Sequence, residues 1–314
     1  MVSLSVIIAV YNGALSLREL TDELTTLLPT LADEYEIIFV EDDGKDNSWD
    51  VLRELVQEFP SVKAFKHMRN YGQHNALLCG IREAHYEIIV TMDDDLQHPP
   101  SELSKLLEKL QEGYDVVYGT PQRERHGLLR DMASQVTKLA LQSAMGVDVA
   151  RSVSAFRMFR TKLREAFAGY ESPVVNIDVL LTWGTTRFAA ITVPHAPRQY
   201  GTSNYTLRKL IIHALNMMTG FSTLPLQLAS LIGFALTLFG LIVLLYVLGR
   251  LLFESSVPGF PFLASIVAIF SGAQLFALGI IGEYLARMHI RIMGRPSSVV
   301  REKLESIPEK ETQV

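Results

Sequence analysis

Cysteine is almost absent from the sequence, which contains a single cysteine, Cys79, among 314 residues. One thiol cannot form a disulfide within the chain, so the protein does not belong to the class of small disulfide-stabilised domains. Cys79 lies in an apolar stretch with helical spacing, where a cysteine usually acts as a small buried hydrophobic residue. We therefore assign it no catalytic role.

An excess of positive charge is also absent, because the formal net charge is -5 at pH 7. This balance disfavours nucleic acid as a partner, since proteins that bind phosphate backbones usually carry a basic surface. The basic residues that flank two long apolar segments instead suit the anionic headgroups of membrane lipids.

Charged residues of either sign are missing from residues 210–249 and again from residues 255–282. A helix that crosses the hydrocarbon core of a bilayer needs about 20 apolar residues, and residues 226–248 and 261–281 each satisfy this requirement. Both segments are apolar around their whole circumference, which disfavours the alternative of two buried core helices. The sequence therefore predicts a two-helix transmembrane region within residues 224–286.

The charges that flank these segments predict their orientation in the membrane. Basic residues precede the first segment and follow the second, whereas the loop between them contains one, Arg250. The flanking residues are Arg208, Lys209, Arg287, Arg291 and Arg295. Residues 1–10 lack the basic n-region of a secretory signal. We therefore expect the N-terminal domain and both termini on the cytosolic side of an inner or plasma membrane.

The first third of the sequence alternates short β-branched runs with amphipathic stretches. Strand-like runs occupy residues 4–10, 36–40, 62–65 and 87–92, and helical periodicity occurs at residues 15–28 and 48–59. This alternation predicts an α/β fold with a mostly parallel sheet. The pattern further predicts a basic, mostly helical region at 123–145, strands at 154–157 and 187–193, and a helix at 173–183.

These patterns divide the chain into four parts. The N-terminal domain comprises residues 1–204, and residues 205–223 predict an amphipathic helix in the membrane interface, with an ordinary surface helix as the alternative. The transmembrane region at 224–286 is followed by a charged cytosolic tail at 287–314. We expect residues 301–314 of this tail to be loose, because they are charged and terminal.

Acidic or turn-forming residues follow three of the predicted strands, at residues 11–13, 41–44 and 93–95. Ligands of open α/β sheets bind beyond the carboxyl ends of strands, so these segments predict one shared site. An ordinary Asp-Gly turn explains residues 41–44 equally well when they are considered alone.

The acidic cluster at residues 93–95 is the strongest candidate for chemistry. Side chains two residues apart on an extended chain project to the same side, so Asp93 and Asp95 can share a divalent cation while Asp94 points elsewhere. Magnesium or manganese held there can neutralise the diphosphate of a sugar nucleotide and stabilise the leaving nucleoside diphosphate. The alternative is a solvated acidic turn that caps the next helix.

Four segments, residues 5–12, 40–48, 69–73 and 92–100, resemble successive signatures of the inverting glycosyltransferases of family 2. More narrowly, the chain resembles the polyprenyl-phosphate sugar transferases, such as dolichol-phosphate mannose synthase and the bacterial undecaprenyl-phosphate sugar transferases. The resemblance extends over nearly the whole chain. It implies a GT-A fold, a Rossmann-like α/β domain, ahead of the interfacial helix and the two membrane spans.

The resemblance also implies a role for individual residues. The positions that match metal ligands, for Mg²⁺ or Mn²⁺, are Asp93, Asp95 and Gln97. The positions that match donor and nucleotide contacts are Tyr11, Asn12, Glu41, Asp42, Asp93, Asp94 and Gln97. The positions that match contacts to the acceptor phosphate are Arg123 or Arg125, with Arg130, Ser134 and Arg198. For catalysis the matching residues are Asp95, Arg130 and Arg198.

Three departures from the family pattern affect these expectations. Ala9 stands where the family usually has proline, and Gly13 stands where it usually has an acid. Asn204 replaces the lysine of a usual Ser-Lys pair, which removes a cation expected near the phosphates. Arg208 or Lys209 is a candidate replacement; otherwise the lipid phosphate is held more weakly.

Together these features predict a glycosyltransferase that transfers a hexosyl or pentosyl group from a nucleotide sugar to a polyprenyl phosphate, undecaprenyl or dolichyl. We expect metal-dependent transfer with inversion at the cytosolic face of the membrane. Residues 69–74 resemble the aminoarabinose-type bacterial enzymes, which favours a UDP-linked donor. A homo-oligomer is compatible with the sequence.

Three other functions fit the sequence less well than sugar transfer to a polyprenyl phosphate. A processive polysaccharide synthase is disfavoured because neither Trp49 nor Trp183 belongs to a Gln-x-x-Arg-Trp motif. A catalytically silent membrane scaffold or nucleotide-sugar sensor is favoured only by Ala9, Gly13 and Asn204. A nicotinamide-dependent enzyme is disfavoured because no Gly-x-Gly-x-x-Gly follows the first predicted strand.

Overall fold

The computed structural model describes residues 2–121, 145, 152–196, 220–253 and 259–305. Its strands are β1 (Ser3–Val10), β2 (Glu34–Glu41), β3 (Val62–His67), β4 (Ile88–Asp93), β5 (Val116–Pro121), β6 (Arg157–Arg160), β7 (Phe188–Val193) and β8 (Val300–Glu305). Its α-helices are α1 (Leu17–Leu31), α2 (Ser48–Glu58), α3 (Gln73–Glu83), α4 (Leu103–Gln111), α5 (Ile177–Thr182), α6 (Leu224–Phe253) and α7 (Phe260–Ile292).

The strands of the described residues form one eight-stranded sheet in the order β7-β5-β6-β4-β1-β2-β3-β8. The central strands β4, β1, β2 and β3 are parallel, and β5 is parallel to β7. Strand β6 runs antiparallel to both β4 and β5, and β8 runs antiparallel to β3. The predicted α/β fold with a mostly parallel sheet is therefore confirmed.

Apolar side chains cover both faces of this sheet. Along β1, Val6 and Ile8 pack into one hydrophobic core together with α1, α2 and α4. Ile7 points to the opposite face and packs into a second core, which includes side chains of α3 and α5. Burial on both faces explains why β1 is a continuous apolar run rather than an alternating one.

The second core contains a buried ionic network. Arg157 of β6 is 2% exposed and forms an ion pair with Asp178 of α5. The hydroxyl of Tyr118 on β5 donates a hydrogen bond to Asp178 Oδ1 at 3.0 Å. Two strands and a helix are thus joined by a buried ion pair and the hydroxyl of Tyr118.

Cys79 is buried in the same core, as the sequence predicts, and is 7% exposed. Burial, followed by the charge of Glu83, raises the pKa of its thiol to about 11. Because the thiol is buried and its reactive thiolate is scarce at neutral pH, Cys79 is protected from thiol reagents while the fold is intact.

Two elements begin three or more residues after their predicted start. Helix α5 begins at Ile177 rather than at residue 173, because the side chain of Asn176 caps it by accepting a hydrogen bond from the backbone N–H of Val179 at 3.0 Å. Strand β6 begins at Arg157 rather than at residue 154. The preceding residues form a local turn, in which the Ser154 hydroxyl accepts a hydrogen bond from the backbone N–H of Phe156.

The interpretation of residues 301–314 as a loose tail is wrong for residues 301–305, which belong to β8. This strand pairs with β3, where Lys63 lies opposite Glu305. Four of its six residues are charged and it lies at the sheet edge, so it lacks the apolar run that marks a buried strand. Trp49 of α2 also donates a hydrogen bond to Glu302 at 3.1 Å. The chain thus returns from α7 to the sheet.

Helices α6 and α7 are long and apolar enough to cross a membrane. The candidate spans are Leu224–Tyr246 and Ile269–Ile292, and almost none of the most apolar part of either span is buried. Such exposure disfavours the alternative of two core helices. The two helices approach closely, since a β-carbon at Gly240 would lie 2.9 Å from the ring of Phe270. Of the predicted interfacial helix at 205–223, residues 205–219 lie outside the described residues.

Candidate functional site

The carboxyl ends of the four parallel strands β1 to β4 meet at one edge of the sheet, where a cavity of about 290 Å³ opens. In open α/β sheets, ligands bind at the point where the strand order reverses, which here lies between β1 and β4. Each of these four strands, or the loop that follows it, contributes to the cavity. The lining residues are Ala9, Val10, Tyr11, Asp42, Asn70, Gly72, Gln73, Asp93, Asp94 and Asp95.

The three consecutive aspartates at the end of β4 all line this cavity. Asp93 pairs with Ala9 of β1, and its Oδ1 accepts a hydrogen bond from Gln73 Nε2 at 2.5 Å. Asp95 is 8% exposed, and its Oδ1 accepts a hydrogen bond from the backbone N–H of Gln97 at 3.2 Å. The structure therefore brings Asp93 and Asp95 to the same cavity.

Asp94 occupies space that Gly13 leaves open. A β-carbon at residue 13 would overlap Asp94 Oδ2, a buried oxygen without a hydrogen-bond partner among the described residues. Burial, followed by the charges of Asp93 and Asp95, raises the pKa of Asp94 to about 7. Three adjacent carboxylates repel one another unless positive charge comes near. This edge of the sheet is therefore suited to a cation.

The donor atoms of the site suit magnesium or manganese, which are hard cations that prefer oxygen ligands. Among the described residues, no group of three or more His, Cys, Asp or Glu side chains has metal-binding geometry. Magnesium is commonly held by one or two carboxylates, while water and substrate phosphates complete its coordination. The site therefore fits a metal that binds together with a phosphate-bearing ligand.

The loop at residues 69–73 is fixed to the end of β2 by Asp42. The backbone N–H groups of Tyr71 and Gly72 donate hydrogen bonds to the two carboxylate oxygens at 2.9 and 2.6 Å. The ring of His67, which is fully buried, lies 2.7 Å from Asp42 Oδ1 through its Nδ1. Gly72 has a φ of +96°, which glycine adopts without strain. Asp42 thus shapes the cavity by holding this loop.

Gln73 and Asn70 are cavity residues to which the sequence assigned no role. Both lie in the 69–73 segment, which the resemblance marks as a signature without indicating what it does. Gln73 is the first residue of α3, and its amide orients the carboxylate of Asp93. The sequence does contain one indication that Gln73 lines a cavity. Gln73 follows a glycine at the start of a helix, and helix N-termini commonly face ligand cavities.

Three of the predicted donor contacts, Asn12, Glu41 and Gln97, do not line the cavity, and the first two bind loop backbone instead. Glu41 is 2% exposed and accepts a hydrogen bond from the backbone N–H of Gly44. Burial is the main cause that raises the pKa of Glu41. Asn12 Oδ1 accepts a hydrogen bond from the backbone N–H of Lys45 at 2.7 Å. Both side chains therefore hold the loops after β1 and β2 together.

Backbone strain is concentrated at this edge of the sheet. The non-glycine residues with positive φ in the described part of the chain are Asn12 at 55°, Asp43 at 54° and Leu96 at 58°. They follow β1, β2 and β4, and all three lie beside the cavity-lining residues. Such conformations cluster at functional sites, where the surrounding structure stabilises them.

Gln97, the third predicted metal ligand, contacts the segment after β7. Its backbone carbonyl accepts a hydrogen bond from Ala196 at 2.9 Å, and its side-chain amide donates to the Ala196 carbonyl at 3.4 Å. Next to it, His98 stacks on Phe156 and meets the ring of His195 edge-on. Burial, followed by the proximity of His195, lowers the pKa of His98 to about 4.

The predicted contacts to the acceptor phosphate lie outside the described residues. They are Arg123, Arg125, Arg130, Ser134 and Arg198. Asn204 and its candidate replacements, Arg208 and Lys209, also lie outside them. Ala196, the described residue nearest to Arg198 in sequence, is bonded to Gln97.

The sequence profile of "Glycosyl transferase family 2" matches residues 5–167, which is more than half of the chain and includes all the residues that line the cavity. The chain therefore belongs to glycosyl transferase family 2 and is a glycosyltransferase. The sheet with its carboxylate cavity at the β1–β4 reversal is the GT-A fold that the sequence predicts.

Curated relatives match the chain over nearly its whole length. The undecaprenyl-phosphate 4-deoxy-4-formamido-L-arabinose transferase of Yersinia pestis (strain Pestoides F) is 35% identical over 302 residues, which cover 95% of this chain and 92% of the relative. The protein of the same name from Pseudomonas fluorescens (strain SBW25) is 33% identical over 97% of this chain and 90% of the relative. Among solved structures, glucosyl-3-phosphoglycerate synthase from Mycobacterium tuberculosis has a TM-score of 0.48 at 20% identity, covering 69% of this chain and 78% of that chain.

Proposed function

We propose that this protein transfers a sugar from a nucleotide sugar to a polyprenyl phosphate at the cytosolic surface of a membrane. The observation that carries the proposal is the cavity in which Asp93, Asp94 and Asp95 meet the loop at residues 69–73. Its charge suits a metal-bound diphosphate. The names of the curated relatives, which match nearly the whole chain, supply the acceptor class.

The donor lies across the carboxyl ends of β1, β2 and β4 in this proposal. Tyr11 is 44% exposed at the cavity lip, where its ring is available to a nucleobase. The diphosphate lies beside Asp93 and Asp95, which hold Mg²⁺ or Mn²⁺ by their carboxylate oxygens. When bound, the metal neutralises the charge that develops on the departing nucleoside diphosphate.

The acceptor supplies the nucleophile through a phosphate oxygen. This oxygen attacks the anomeric carbon and forms the new C–O bond, while the bond to the donor diphosphate breaks and the configuration inverts. A phosphate is already anionic at pH 7, so no general base needs to remove a proton. Arg130 and Arg198, with Arg123 or Arg125, are the proposed cations that offset the repulsion between the two substrates.

The membrane region keeps the site close to its lipid substrate. In this proposal α6 and α7 span the membrane, and both termini and the N-terminal domain are cytosolic, in agreement with the basic residues Arg287 and Arg291 near the end of α7 and Arg295 after it. The return of the chain from α7 to β8 supports the same arrangement, because both ends of the two-helix region connect to the domain that holds the cavity.

A transfer assay tests the proposal. Purified full-length protein is incubated with undecaprenyl phosphate, Mg²⁺ or Mn²⁺ and a panel of UDP-, GDP- and dTDP-sugars that includes a UDP-linked 4-deoxy-4-formamido-L-arabinose. We expect a lipid-linked sugar with one donor, and loss of the product when the metal is chelated. Nucleotide-sugar binding without transfer across the panel would instead support a silent sensor, and a polymeric product would support a polysaccharide synthase.

Replacement of Gly13 by alanine is expected to weaken donor binding. The new β-carbon would overlap Asp94 Oδ2 and force that carboxylate toward the cavity. An off-rotamer displacement costs about 0.5–1.5 kcal/mol, so we expect the KM for the donor to rise by up to about tenfold. Gly169→Ala is the matched control, because a β-carbon at Gly169 would meet no atom within 4 Å. An unchanged KM in Gly13→Ala would show that the position of Asp94 is unimportant.

A further inference from the structure

A second and larger cavity lies at the junction between the N-terminal domain and the two apolar helices. Its volume is about 660 Å³. The walls come from residues 170–183, from the chain that enters α6, and from the last turns of α7. We call this cavity the junction groove. Its lining residues include Tyr170, Trp183, Glu283, Tyr284, Arg287 and Arg291.

The junction groove is separate from the carboxylate cavity. The two have no lining residue in common. The loop at residues 69–73 is joined to the chain at Pro173 by the side chain of Asn75, which donates hydrogen bonds to the carbonyls of both Tyr71 and Pro173. A phosphate in the groove would therefore face a different set of side chains from one beside Asp93 and Asp95.

Charge in the groove favours an anion. Two arginines, Arg287 and Arg291, line the groove. Arg287 forms an ion pair with Glu283 at 2.8 Å, which offsets the positive charge of Arg287. Arg291 forms no ion pair with a carboxylate of the described residues, and its guanidinium lies over the ring of Tyr170 at 5.4 Å from the centroid. A guanidinium that stacks on an aromatic ring keeps its N–H groups available to a phosphate.

The remaining walls are those of a membrane-interface site. Trp183 is 49% exposed and meets the ring of Tyr170 edge-on at 5.5 Å. Tyr284 fixes the start of α6 to α7 by donating a hydrogen bond to the carbonyl of Ser222 at 2.5 Å. Tryptophan and tyrosine are enriched where a bilayer meets water. The apolar surface of α7 also continues into the groove through Met288 and Ile290.

We infer that the junction groove binds an anionic glycerophospholipid of the surrounding bilayer. The phosphate lies at Arg291, the headgroup lies among Trp183 and Tyr170, and the acyl chains follow the apolar surface of α7. The lipid is not the acceptor substrate, because an acceptor phosphate has to reach the separate carboxylate cavity. The inference requires that α6 and α7 stand in a membrane, but it does not require sugar transfer.

Lipid retention by the full-length protein tests the inference. Native mass spectrometry from detergent compares phosphatidylglycerol with phosphatidylcholine of the same acyl chains. We expect retention of phosphatidylglycerol, and a drop of about fivefold in its affinity in Arg291→Gln, the equivalent of about 1 kcal/mol for one cation near an anionic lipid. Arg291→Lys keeps the charge and retains most of the binding. Arg295→Gln is the matched control, because Arg295 is exposed and does not line the groove.

Four results would overturn the inference. These are equal retention of the two lipids, an equal loss in Arg291→Gln and Arg295→Gln, displacement of the lipid by inorganic phosphate, and displacement by undecaprenyl phosphate at equal concentration. The third would indicate a site for soluble anions, and the fourth would assign the groove to the acceptor. Protection of Cys79 from thiol reagents checks that each variant is folded.

Discussion

Replacing Asp95 with alanine is expected to lower the turnover number for sugar transfer on the order of a thousandfold, the scale seen when preorganised charge stabilisation is removed from a transition state. Asp95 lines the carboxylate cavity, is 8% exposed and is one of the two proposed metal ligands. Its loss leaves Asp93 as the only ligand of the proposed pair. Initial rates at saturating donor and acceptor, measured over a range of Mg²⁺ or Mn²⁺ concentrations, provide the test.

The metal dependence distinguishes a lost ligand from a damaged fold. If Asp95 binds the metal, the variant requires a higher metal concentration for its residual activity, and Cys79 remains protected from thiol reagents. Asp50→Ala is the control, because the Asp50 side chain is 69% exposed and forms an ion pair with Arg53 on the surface of α2. Near-normal turnover in Asp95→Ala would show that the metal site has been assigned to the wrong carboxylates.

Replacing Asp178 with alanine is expected to lower the free energy of unfolding of the N-terminal domain by about 3–5 kcal/mol, the usual cost of removing one partner of a buried ion pair. The change leaves Arg157 charged and 2% exposed in the second core. It also removes the hydrogen-bond acceptor of Tyr118. Chemical denaturation monitored by modification of Cys79 measures the effect, because this buried thiol becomes reactive when the domain opens.

The combined replacement Tyr118→Phe, Arg157→Met and Asp178→Leu tests whether the unpaired charge of Arg157 causes the loss of stability in Asp178→Ala. It removes the three interacting polar side chains together, and apolar replacement of a whole buried network is often neutral. We therefore expect the triple variant to regain most of the stability that Asp178→Ala loses. A free energy of unfolding for Asp178→Ala within about 1 kcal/mol of the wild type, a typical effect of an arbitrary substitution, would mean that the network contributes little.

Patterns local to the sequence predicted the elements that position the site. The apolar runs predicted the strands β1, β2 and β4. The acidic or turn-forming residues that follow these runs predicted the edge of the sheet at which the carboxyl ends meet. This prediction works because parallel strands bring their carboxyl ends together whatever the length of the intervening helices. The contiguous aspartates at residues 93–95 therefore identified the cavity in advance.

Contacts between distant parts of the chain were not predictable in the same way. Strand β8 lies far from β3 in sequence and carries charged side chains, so its pairing depends on the path of α6 and α7. The ion pair of Arg157 and Asp178 depends on how α5 packs, and neither residue belongs to a motif. Gln73 contacts Asp93 only because α3 begins next to β4. In each case the information lies in tertiary packing.

In the proposed reaction, the acceptor reacts through its phosphate at the carboxylate cavity. The most direct measurement compares undecaprenyl phosphate with undecaprenol, an acceptor of the same chain length that has a hydroxyl in place of the phosphate. We predict one nucleoside diphosphate released for each lipid-linked sugar formed with the phosphate. We predict no transfer to the alcohol, because a hydroxyl needs a general base and the proposed reaction does not provide one. Equal transfer to the two lipids, or nucleoside diphosphate release that does not depend on the lipid phosphate, would show that the acceptor phosphate is not the nucleophile.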